Sequence, residues 1–273
     1  MIDLYSWGML MGKNVGKLFL YCFLLSLAVS YIPNIFGNND PMVNMCANII
    51  AILLLLLFLG NSLVRSGCFD RGAQVPNWKD LLILSPVAIL LVGFFVANLT
   101  SGYEILAYNI SSNNEVSWLF LLYVILHTIY DELLFRIVLQ YEWAHNYSRI
   151  KRILYPALAY AAFFGLFGSN FSISSNPLIN ALSTFGGGFL VGCILGFLME
   201  YTHSIYVCLV YSLIHTLLIG YGAPSILLTY LFECASFGRF FFDSYYLITI
   251  LAEVISALYL VLIYNFYFKK KEY

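Results

Sequence analysis

The chain has 273 residues, of which 62% are hydrophobic and only 10% charged, against roughly 45–50% and about 25% in an ordinary soluble domain. Thirteen bases against 14 acids give a formal net charge of −1, which excludes a basic nucleic-acid binder. So much apolar surface also excludes disorder, and a soluble domain of this length could not bury it all. The sequence therefore describes an all-α, polytopic membrane bundle.

A helix needs about 20 apolar residues to cross the hydrocarbon core. Eight stretches of the sequence serve, at approximately 18–36, 42–64, 81–99, 117–141, 153–169, 181–199, 204–222 and 245–268. Lys13 and Lys17 precede the first, and Ala28-Val29-Ser30 is faintly like a cleavage site. The apolar run continues to Phe36, which favours a retained span over a signal peptide. Segment 223–240 is apolar but interrupted by Pro224 and Gly238, so it reads as re-entrant or interfacial. Short loops join the spans, giving one membrane domain over 1–273. Within it lie N-terminal helices (1–115), a core (116–222) and a C-terminal part (223–273) with the last helix.

Eight spans place eleven of the 13 bases on one side, including Lys13, Arg71, Arg149, Arg152 and Lys269–Lys271. The positive-inside rule makes that side cytoplasmic and puts both termini there, in the plasma membrane. Arg239 falls in an opposite loop, and Arg136 lies inside a span. His145 and His203 fall in cytoplasmic turns. The six cysteines form no CxxC pair, so neither a zinc knuckle nor a redox motif is expected.

Ionisable groups within a membrane need a reason. Here they are His127, Asp131, Glu132, Arg136, His215 and Glu253. Glu132 and Arg136 are four apart on a helix and share a face, so they are expected to pair. Asp131 is rotated by about 100° and needs another partner or a wet cavity, as a buried general base would. The plainer reading is an ion-pair network that fixes helix packing. Asp131 and His215 lie at similar depth, about 15–17 Å from the cytoplasmic side at 1.5 Å per residue, so they are expected to meet across the bundle. His127 is placed to cap Asp131 or simply to pack. Glu253 is expected nearer the outer face, paired with Arg239 or at the interface. In the sixth span Gly188, Gly192 and Gly196 form a smooth stripe for close helix packing.

Residues 116–222 resemble the CPBP family, which includes type II CAAX-prenyl proteases, bacteriocin-processing proteins and Abi proteins. Asp131-Glu132-Leu133-Leu134-Phe135-Arg136 is similar to the family's first motif, two acids, three residues and Arg, with Asp for the usual first Glu. Phe164 and Gly168 align with the second motif, where Gly168 replaces His. His215 and Ile219 align with the last, where Ile219 replaces Asn or Asp. The turn at Thr202-His203-Ser204-Ile205 also resembles the family's.

The resemblance implies an intramembrane endopeptidase with Asp131 as base, Glu132 and Arg136 as its support and His215 as an oxyanion or orienting group. Phe164, Gly168 and Ile219 complete the matched site. Losing one oxyanion donor costs about 10²–10³ in rate, so the substitutions at Gly168 and Ile219 predict a degenerate site, weakly active or inactive. Asn170 and Thr216 are the polar residues nearby in sequence that would have to compensate. Such a pseudoenzyme would serve peptide or bacteriocin immunity, or partner a sensor kinase or cell-wall enzyme. The alternatives are an active CAAX-type or leader-peptide protease, and a small proton-coupled transporter. No cofactor or metal is implied, and the bilayer is the expected surrounding.

Overall fold

The computed structural model describes residues 17, 19–22, 24, 41–66, 74–100, 114–167, 177–218 and 239–268. Its helices are α1 (Pro41–Ser66), α2 (Trp78–Thr100), α3 (Asn114–Glu132), α4 (Arg149–Phe167), α5 (Pro177–Thr202), α6 (Ile205–Leu218) and α7 (Arg239–Ile263). Seven of the eight expected spans thus coincide with a helix. Most of the first expected span, and segment 223–240 except its last two residues, lie outside the described residues.

Local chemistry sets the helix ends. Pro41 and Pro177 open α1 and α5, where the missing N–H is not needed. Asn77 caps α2, its Oδ1 accepting from the Lys79 amide at 3.1 Å, and Asp80 suits the positive end of the helix. His203 turns the chain between α5 and α6 in a left-handed conformation, with φ 50°. It is exposed there, as is His145.

One element departs from the expected regular span. After Glu132, α3 continues as a π-helical segment, Leu133–Trp143. It closes on a bond from the Ala144 amide to the Leu139 carbonyl, 2.9 Å long and five residues back. Most π-helix is confined to single turns inside α-helices, often at functional sites. Here it carries Arg136 and Gln140, both wholly buried.

Helix α5 runs through the middle: 72% of its Phe185–Thr202 window lies inside the bundle, against 28% for Cys46–Val64 of α1. Its tightest neighbour is α4, while α1 packs on α3, and α7 on α2 and α5. The glycine stripe explains the close approach. A Cβ on Gly192 would stand 2.9 Å from Ala157 Cα, and one on Gly196 3.0 Å from Ile153 Cγ2.

Polarity is distributed as lipid requires. Leu54, Leu57 and Val64 on α1, Ile89 on α2 and Leu258 on α7 face outward, whereas Arg136 is the largest fully buried side chain among the described residues. The windows Cys46–Val64 and Phe185–Thr202 are long and apolar enough to cross a membrane, and Ile205–Thr216 and Leu251–Tyr267 are shorter apolar helices.

Candidate active site

The site grows from one strip of α3 and its π-helical continuation. Glu132, Arg136 and Gln140 recur every four residues, so each reaches the next. Arg136 Nε donates to Glu132 Oε2 at 3.2 Å, both side chains being fully buried. The guanidinium lies over the Tyr160 ring of α4, 5.5 Å from its centroid, a cation–π contact strengthened by the absence of water. Its Nη1 donates to Gln140 Oε1 at 3.3 Å.

Gln140 then bridges to α5. Its Nε2 donates to the Gly196 carbonyl at 2.8 Å and lies 3.4 Å from Glu200 Oε1. Glu200 Oε2 is in turn 2.9 Å from Arg152 Nη2 and 3.7 Å from Arg149 Nε. The two arginines were expected only to mark a membrane face. They also anchor a polar ladder that ties α3, α4 and α5 together, and the pair expected from sequence is its inner rung.

Asp131 belongs to a different face. Its carboxylate is buried, with Oδ2 2.7 Å from His127 Nδ1. Its Oδ1 has no hydrogen-bond partner among the described residues. Both side chains border a cavity of about 160 Å³. Tyr123 and Thr128 of α3, Tyr160 of α4, and Ser212 and Thr216 of α6 complete its polar lining. A cavity of this size, with polar groups on its wall, has room for more than one water. The expected choice between a partner and a cavity for Asp131 resolves as both, and His127 caps the carboxylate.

His215 does not take its expected place. Its Nε2 lies 3.0 Å from Glu253 Oε1 on α7, and both side chains are buried. Helix α6 does reach the Asp131 cavity, but through Ser212 and Thr216. Thr216, one residue beyond His215, points about 100° away from it. Helix α6 therefore meets the cavity through residues other than His215. Glu253 is likewise not at an interface, being 1% exposed and held by His215. The side chains of Phe164 and Arg239 lie outside the described residues, as do Gly168, Asn170 and Ile219 altogether.

Residues 113–218 match the family model described as type II CAAX prenyl endopeptidase Rce1-like. They form a CPBP-family domain. No curated protein and no solved structure matches the chain. The CPBP domain begins beside α3 and ends with α6, so it contains the ladder, the cavity and His215. Glu253, which engages His215, comes from outside it. The match gives these residues an integral-membrane protease-family scaffold.

Sequence reasoning missed Gln140, Glu200, Tyr160 and Ser212. Gln140 had a readable signal, the same four-residue spacing that linked Glu132 to Arg136. Tyr160 and Ser212 had none, since helix packing alone brings them to the cavity. Among the described residues no three His, Cys, Asp or Glu side chains cluster to hold a metal ion.

Chemically, the cavity is bordered by a carboxylate, the imidazole hydrogen-bonded to it and several hydroxyls. Such a set suits binding and deprotonating water. The Glu132–Arg136 pair faces the protein interior and fixes the helix that bears Asp131.

Proposed function

We propose that the CPBP domain is a membrane-embedded peptidase site of reduced power, which hydrolyses a peptide segment entering the Asp131 cavity. The observation that carries this reading is the hydrogen-bonded Asp131–His127 pair bordering a cavity within the bundle. Substrates of CAAX or leader-peptide type follow from the family.

Water held in the cavity gives up a proton on the Asp131 side, and the oxygen adds to the peptide carbonyl. Reduced power follows from His215: with its Nε2 beside Glu253, it is withdrawn from stabilising the oxyanion, a loss of about 10²–10³ in rate. Purified protein in lipid vesicles, offered prenylated and unprenylated peptides, tests the reading by product mass. Asp131→Ala should abolish slow cleavage while leaving Glu132–Arg136 and the fold intact. Cleavage that survives Asp131→Ala sinks the proposal.

A second reading is favoured by the same His215–Glu253 contact. With that imidazole engaged and Gly168 and Ile219 in place of polar groups, the scaffold would bind peptides or a membrane partner without cutting. Immunity to a peptide toxin, or control of a sensor kinase or cell-wall enzyme, would be its output. A phenotype that persists in Asp131→Ala, with no cleavage detected in the wild type, supports this reading over the first.

A further inference from the structure

We propose that His127, oriented by Asp131, is the proton acceptor for the attacking water at this site. The inference rests on the peptidase reading and assigns a catalytic role to a residue that lies outside all the sequence motifs. Its first support is which nitrogen touches the acid. Nδ1 is 2.7 Å from Asp131 Oδ2, within the range of a charge-assisted N–H···O⁻ bond. A carboxylate accepts only, so Nδ1 carries the proton, and in the neutral imidazole Nε2 is then the bare acceptor. Carboxylate on Nδ1 and work at Nε2 is the arrangement by which acid–histidine pairs activate nucleophiles.

The second support is access. The His127 side chain is 26% exposed and that of Asp131 only 5%, yet both border the cavity. A water positioned against a substrate therefore meets the imidazole more readily than the acid. The third is orientation. The i,i+4 spacing on α3 fixes the imidazole against Asp131, and the Tyr123 ring meets it edge-on at 5.5 Å. Imidazole, with an ordinary pKa of about 6.5, is also a stronger base at neutral pH than a carboxylate of about 4.

The step balances without a further reactant. His127 Nε2 takes a proton from water as the water oxygen bonds to the peptide carbonyl carbon. The carbonyl oxygen takes up the electron pair. When it returns, the C–N bond breaks and the imidazolium gives its proton to the departing nitrogen. Asp131 keeps the Nδ1 proton in place throughout. One water and one peptide give one acid and one amine.

The test uses the full chain in lipid vesicles, a cleaved peptide as probe, and His127→Ala, His127→Gln and Asp131→Ala variants. His127→Ala should lower kcat by about 10²–10⁴ with little change in KM, and added imidazole should restore part of it by entering the vacated space. His127→Gln keeps a donor to Asp131, so its equal loss excludes a fold defect. Nitrogen NMR on labelled His127 should show Nδ1 protonated and Nε2 bare. Wild-type kcat in His127→Ala or His127→Gln, or the opposite tautomer, overturns the inference. If Asp131→Ala alone abolishes cleavage, Asp131 is itself the base and the peptidase reading stands without His127. If Asp131→Ala cleaves normally, or the wild type cleaves nothing, the peptidase reading itself falls.

Discussion

His215 Nε2 and Glu253 Oε1 lie 3.0 Å apart, joining the last helix of the CPBP domain to a helix beyond it. Both side chains are buried, so neither can exchange its partner for water. Glu253→Ala should therefore destabilise the protein by about 1–3 kcal/mol, the cost of an orphaned buried polar group. Glu253→Gln retains a hydrogen-bonding end and should cost less. Unfolding in mixed micelles, followed by circular dichroism, measures both. Equal stability of Glu253→Ala and wild type would mean that α7 is not held through His215.

Arg136 should be the most sensitive single position of the ladder. Its removal takes the cation from Glu132, which is fully buried, and the donor from Gln140 Oε1. Breaking one side of a buried ion pair costs about 3–5 kcal/mol, so Arg136→Ala should lower the unfolding midpoint sharply or prevent accumulation. Arg136→Lys should recover little, because an ammonium cannot reproduce the fork that reaches both partners. A Glu132→Gln, Arg136→Met double variant should be closer to wild type than Arg136→Ala. Unfolding free energies of the three variants decide the matter.

The glycine stripe separates close packing from mere smallness. At Gly192 an added Cβ meets the Ala157 backbone at 2.9 Å, whereas at Gly186 it meets nothing within 4 Å. Gly192→Ala should cost about 1–3 kcal/mol through forced separation of α4 and α5. Gly186→Ala should be neutral or slightly stabilising, since alanine favours the helix. Thermal midpoints of the two variants, compared side by side, test the contrast.

What the sequence disclosed follows from the range of each signal. Glu132–Arg136 and the Gly192 stripe were readable because helical periodicity alone decides which residues share a face. The His215–Glu253 contact was not, because its partners are 38 residues apart and are chosen by how α6 and α7 pack. The same gap explains why His215 meets Glu253 while Ser212 and Thr216 line the Asp131 cavity: the rotation of a helix about its axis is set by packing. The π-helical segment escaped because its hydrophobic pattern does not differ from that of an ordinary buried helix. Arg152 could be assigned to a membrane face by charge, yet its contact with Glu200 needed the α4–α5 approach that the glycines allow.

The side on which that ladder ends is open to direct measurement. Arg149 and Arg152 cluster with Glu200 at the end of the bundle that carries the exposed turn around His145. If all eight expected spans cross, eleven of the 13 bases fall on this side, and the positive-inside rule then predicts that it is cytoplasmic. Cys22, Cys193 and Cys208 are buried and should resist a bulky reagent. With Cys46, Cys68 and Cys234 replaced by serine, His145→Cys provides a single accessible thiol. A membrane-impermeant maleimide should label it in inside-out vesicles and spare it in right-side-out ones. The reverse pattern would invert the topology and place the arginine–glutamate end of the ladder outside the cell.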